Sequence, residues 1–290
     1  MKKVVFILLM LFVTLSYSQD EYNHNYYWNF QNNSKAIVGF TKCYVRESPN
    51  INSVILDSLQ LGSEVMVKTT SEELFKFKGI NVSWVEIKFK NNFGETKTGY
   101  LWKGFLALNF IKKQELTYLT TIEKIEKFKS GGYINDRFSI SAKILNNNQF
   151  LNQITIKKFL SESTYFENKT IGSLGLSKLQ NINRISFSGE SCGVPTLYFY
   201  FGWNGTKLLL LPEKMNVGDA DVYYHSEEFV FPSEKGGKPD LIIKKIEEAE
   251  LIEETSGIYN MSEREEYCKW NGKKAILYKK SKLKKSKKKL

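Results

Sequence analysis

Histidine is almost missing from this chain. Its 290 residues include two, His24 and His225. A serine or cysteine nucleophile needs a positioned base, so triad-type chemistry would have to run through one of these two. Cysteine is nearly as scarce, with Cys43, Cys192 and Cys268. No Cys/His pairs stand at zinc-ligand spacing, and Asp219 and Asp221 near His225 read as a solvated turn beside Gly218. No metal and no other cofactor is expected. After Val13 no apolar run approaches the ~20 residues of a membrane-crossing helix, so no transmembrane span is expected. Acids are missing from Lys279–Leu290, which hold eight lysines. Setting these aside with Lys2 and Lys3 lowers the net charge from +11 to about +1. So neutral a body argues against a nucleic-acid footprint spread over one face.

Residues 1–18 read as a signal peptide. Lys2 and Lys3 form a charged start, Val4–Val13 is unbroken apolar sequence, and Ser16 and Ser18 are small residues at the cleavage positions. Export to a bacterial periplasm or to the exterior is expected, with the mature chain starting at Gln19. No cysteine directly follows the apolar run, so a lipid anchor is not indicated. At the other end, residues 279–290 cannot bury a core and read as a disordered lysine-rich tail. Its charges, Lys279 to Lys289, suit contact with an anionic surface.

Between these ends the patterning is mainly β. Residues 19–34 are rich in Asn and Tyr and read as a loose lead-in. Val65 and Val67 alternate with polar residues, and Val85, Ile87 and Phe89 share one face of the next run, as half-buried strands require. Residues 110–132 differ. Leu116, Leu119, Ile122, Ile125 and Phe128 recur at helical spacing before Gly131-Gly132, which predicts a linker helix. Residues 133–278 return to strands as a β-rich C-terminal domain. Asn146-Asn147-Asn148 separates two of them, and Trp203-Asn204-Gly205 and Trp270-Asn271-Gly272 are Asn-Gly hairpin signals. Glu247, Glu248, Glu250, Glu253 and Glu254 read as a solvated helix or loop face.

The region 35–109 carries the most specific pattern. Val45, Arg46 and Pro49 are followed by Val54-Ile55, by Leu59, Gly62 and Val65, by Trp84 and Ile87, and by Gly99-Tyr100-Leu101. This resembles the bacterial SH3 (SH3b) family. Tyr44 stands where that family usually has Asn, and Val85 directly follows Trp84. The resemblance implies a small SH3-like barrel that binds cell-envelope ligands, peptidoglycan or peptide. It implies ligand contacts for Tyr44, Arg46, Tyr100 and Trp102, and a core role for Trp84. It also puts Cys43 at a core position, which leaves Cys192 and Cys268 as the pair for one disulfide in an oxidising compartment.

SH3b modules accompany NlpC/P60-type cysteine peptidases, so a cell-wall hydrolase using Cys192 and His225 is an alternative. No helix pattern follows Cys192, and the surroundings of that family's cysteine are absent. Gly189-Glu190-Ser191-Cys192-Gly193 fits the G-x-S-x-G expression, but a strand pattern follows in place of the helix a nucleophile elbow needs. The favoured expectation is a non-catalytic binding protein. A third is a structural or partner-binding protein with the module as spacer.

Overall fold

Short apolar runs broken by Gly and Asn turns fold here into antiparallel strands. The computed structural model describes residues 23–289 apart from 131, 161, 220 and 254–256, so the expected signal peptide lies outside the described residues. The chain is mainly β. Among the described residues the helical turns are 3-10 turns at Asn25–Tyr27 and Lys103–Phe105.

The first sheet holds β1 (Lys35–Ile37), β2 (Cys43–Arg46), β3 (Ile55–Leu59), β4 (Glu64–Phe77), β5 (Ile80–Lys90) and β6 (Thr96–Trp102), in the order β1-β4-β5-β6-β2-β3. The period of two is realised: Val65, Val67, Val85, Ile87 and Phe89 are all buried. Trp84, on the opposite face of β5, is buried as well. The β4–β5 hairpin turns through Lys78 and Gly79, at φ +52° and +78°. A Cβ on Gly79 would lie 2.0 Å from the carbonyl oxygen of Ile125. Ile125 N–H in turn donates to the Lys78 carbonyl at 3.0 Å, so this tip is pressed onto the second sheet.

That second sheet contains β7 (Asn109–Lys113), β8 (Leu116–Ser130), β9 (Tyr133–Asn146) and β10 (Gln149–Phe159), in the order β10-β9-β8-β7. The helix expected over 110–132 is therefore replaced by two strands. The cause lies in a bulge between Ile122 and Lys124. Ile122 pairs with Ile140 and Ile125 with Phe138, so the extra residue brings two side chains three apart onto one face. Leu119 points the other way, into a cluster with Ile37, Ala107 and Leu145. A bulged strand buried on both faces thus imitates a helical stripe.

The third sheet begins with β11 (Tyr165–Gly172), β12 (Asn181–Ser188), β13 (Thr196–Trp203), β14 (Leu208–Leu210) and β15 (Lys214–Asp219). It continues with β16 (Tyr223–Val230), β17 (Leu241–Glu253), β18 (Ile258–Trp270), β19 (Ala275–Lys280) and β20 (Lys284–Lys289). Both Asn-Gly signals form hairpins, pairing Trp203 with Leu208 and Trp270 with Ala275. In each the Asn side chain accepts from backbone N–H groups two and three residues on. The Asn-rich turn at 146–148 likewise joins β9 to β10, with Asn147 and Asn148 at positive φ. The glutamates at 247–250 lie on β17 and not on a helix or loop.

The lysine-rich end is not disordered either. Lys284–Lys289 pairs with Ile258–Glu263 of β18, and Lys280 Nζ lies 2.7 Å from Glu266. Every residue of β20 is exposed. Composition correctly indicates that it buries nothing, but a backbone ladder along a neighbouring strand needs no buried side chain.

The lead-in is firmly placed over its described part. His24 N–H donates to the Asn81 carbonyl, and Asn81 N–H returns a bond to His24 Nδ1 at 3.0 Å. Tyr27 and Trp28 are buried, and the Trp28 indole donates to the Leu106 carbonyl at 2.9 Å. They join one continuous core that also takes in Val45, Ile87, Ile140, Phe187 and Trp203, and so spans all three sheets. A smaller core around Tyr200, Phe231, Ile242 and Trp270 supports the far half of the third sheet.

Candidate functional site

Three of the four ligand-contact residues expected from the resemblance share one surface. Along β2, Cys43 and Val45 point inward, while Tyr44 and Arg46 point outward. Arg46 pairs directly with Tyr100 on β6, so Tyr100 joins that outer face. The Arg46 guanidinium donates to the Ser53 carbonyl at 2.6 Å and fixes the loop that leads into β3. Beside this face, β3 ends the sheet and leaves Val54, Ile55 and Leu56 exposed. The result is a surface on which Tyr44 is exposed, Arg46 and Tyr100 are half-buried, and an apolar strand edge lies alongside.

Trp102 is not part of that surface. It is 2 % exposed. The charged insert before Trp84 forms the long ends of β4 and β5, and these fold over it. Phe75, Phe77 and Phe105 contact the Trp102 ring edge-on at 5.0 to 6.2 Å, and its indole N–H donates to the Phe75 carbonyl. An aromatic so enclosed stabilises the sheet and offers no rim to a ligand.

The disulfide between Cys192 and Cys268 is not formed, and all three thiols are free. Cys192 is exposed in the β12–β13 loop, where Gly193 N–H bonds to the Gly218 carbonyl. Cys268 sits within β18 opposite Leu277 and packs on the core around Trp270. The two side chains therefore belong to different surroundings. Burial pushes the Cys268 thiol upward and that of Cys43 to about 12, which leaves both poor nucleophiles.

His225 is buried between carboxylates. Nδ1 lies 2.9 Å from Glu248 on β17, and Nε2 lies 3.3 Å from Glu227 on its own strand. Lys244 approaches Glu227 at 3.0 Å, and Ser262 donates to Glu248 at 3.1 Å. The bond from His225 holds the Glu248 carboxyl below the usual range. Both imidazole nitrogens thus face acids and neither is directed at Cys192, so the arrangement ties β16, β17 and β18 together. Among the described residues no group of three or more His, Cys, Asp or Glu is arranged to hold a metal ion, and no helix is long and apolar enough to cross a membrane.

A concavity of about 620 Å³ lies where the lead-in, the 103–109 segment and β11 meet. Tyr26, Phe30, Tyr165 and Phe166 line it together with Asn25 and Lys103. Tyr165 is exposed, whereas Phe166 leans on the buried Phe187 at 5.1 Å. Lys103 is 5 % exposed. Its ammonium donates to Asn25 Oδ1 at 3.3 Å, and desolvation lowers its pKa to about 8. Sequence reasoning missed this groove because its walls come from segments more than fifty residues apart. The signal available was the run Tyr26-Tyr27-Trp28, too aromatic for a solvated lead-in. Comparison with protein-family models, with curated proteins and with solved structures finds no match.

Proposed function

We propose that this chain is an exported, non-catalytic binding protein whose first sheet acts as an SH3b-like module on cell-envelope peptide or glycan. The observation that supports this reading is the outward face of Tyr44, Arg46 and Tyr100 beside the exposed edge of β3. Phenol rings give flat apolar contact with a polar tip, and the guanidinium adds orientation. A free strand edge adds main-chain donors and acceptors for an extended ligand. The buried His225 among carboxylates supports the non-catalytic part, because it leaves Cys192 without a base. The exposed lysines of β20 supply a charged patch for an anionic surface.

Co-sedimentation with purified peptidoglycan at moderate salt tests the reading. Wild-type protein should be retained, and the pair Tyr44→Ala and Tyr100→Ala should weaken retention about tenfold or more. Absence of wild-type retention, with a native circular dichroism spectrum, would remove it.

A further inference from the structure

We propose that the groove around Lys103 binds a monocarboxylate with an apolar or aromatic body, as at the free C-terminus of a peptide. It is a site separate from the outer face of β2 and β6 and does not depend on that face having a ligand.

A buried ammonium is costly unless a counter-charge meets it. Lys103 is more than nine-tenths buried, lines the groove, and has a single neutral acceptor, Asn25 Oδ1, among the described residues. That acceptor is already shared with the Ser83 N–H at 3.0 Å, while Asn25 Nδ2 donates to Ser83 Oγ at 2.9 Å. The side-chain amide is therefore fixed and holds the ammonium in place without neutralising it. An anion entering the groove supplies the missing charge.

The lining also decides which anion. No arginine and no second lysine line the groove, so a phosphate's double charge and fan of oxygens would go unmet. One point charge matches one carboxylate. No Asp or Glu lines it either, so nothing there accepts from the hydroxyls of a sugar acid with the strength a carboxylate would give. Tyr26, Phe30, Tyr165 and Phe166 instead provide ring faces and edges for an apolar side chain. A volume of about 620 Å³ admits one or two terminal residues and not a folded partner.

Isothermal titration of the mature chain with N-acetyl-phenylalanine, its amide, glucuronate and inorganic phosphate decides it. The free acid should bind saturably. The amide should bind at least tenfold more weakly, and Lys103→Met should lose the same factor while keeping its circular dichroism spectrum. The acid's affinity should fall as pH rises past about 8, where Lys103 loses its proton. Tyr165→Ala, an exposed wall residue, should also weaken binding without unfolding the protein. Equal binding of acid and amide, unchanged binding by Lys103→Met, or no binding of the acid would overturn the proposal. So would preference for glucuronate or phosphate. Retention on peptidoglycan through Tyr44 and Tyr100 reads out separately, so either conclusion can fail alone.

Discussion

Replacing Lys103 by methionine should make the free protein more stable at neutral pH. The ammonium is buried without an acidic partner among the described residues, and its pKa falls from 10.5 to about 8. At ~1.4 kcal/mol per pH unit this puts roughly 3 kcal/mol on the charged form. Methionine keeps the length of the chain and removes the charge. Asn25 Oδ1 keeps the Ser83 N–H as donor, so little hydrogen bonding is lost. Losing the bond to Asn25 offsets about 1 kcal/mol, leaving a gain of about 2 kcal/mol at pH 7. The pH dependence fixes the cause. In the native protein the proton leaves near 8, and in the unfolded chain near 10.5. Between those values the unfolded chain binds more protons, so wild-type stability gains from this group as pH rises. The advantage of the variant should therefore be full below pH 8 and shrink toward pH 10.5. Urea unfolding of both proteins at pH 7 and pH 10 measures it. A variant no more stable than wild type at pH 7, or an advantage equal at both pH values, would refute the reasoning. A stabilising substitution that weakens ligand binding is what a site held open at the expense of stability gives.

Three further outcomes follow from the geometry. Gly79→Ala should cost about 3 kcal/mol or more, since alanine meets both a left-handed backbone and the Ile125 carbonyl; thermal melting checks it. Deleting residues 279–289 should lower the melting temperature by several degrees, because it strips the β18 ladder of its outer partners and leaves Glu266 without Lys280. An unchanged melting temperature would mean that these strands add nothing to the fold. His225→Ala should let the Glu248 pKa rise toward the ordinary carboxylate value, as read by NMR titration. In the wild type, the stability from this lowered pKa is present above the ordinary glutamate value and is lost as pH falls through the folded one.

What could be read from the residues alone was local. Alternation placed β4 and β5, and Asn-Gly pairs placed two hairpins, because both signals lie within a few residues of chain. The β8 strand was illegible for the opposite reason. Its bulge after Ile122 is fixed by pairing with β9, and without that partner the spacing from Ile122 to Ile125 is a helix turn. Trp102 reads as a ligand-facing aromatic from its motif position, whereas the far ends of β4 and β5 close over it. The β20 strand is set by a backbone ladder with Ile258–Glu263, more than twenty residues earlier, and composition carries no record of that pairing. Of the candidate surfaces, Tyr44, Arg46 and Tyr100 were legible from motif positions, while the Lys103 groove exists only once the three sheets are assembled.

The position of β20 has a consequence for how molecules of this protein meet each other. With β19 it closes one side of the largest sheet, and among the described residues its outer row of backbone groups has no strand beyond it. Such a row is a template on which another chain can grow, the first step toward edge-to-edge aggregation. A second copy offering the same strand would bring five lysines against five, Lys284, Lys285, Lys287, Lys288 and Lys289 on each side. Like charges at strand spacing repel, and that repulsion opposes completion of the ladder. The sheet is thereby ended by electrostatics rather than by a covering helix, and the residues that look least structural set the limit on its width.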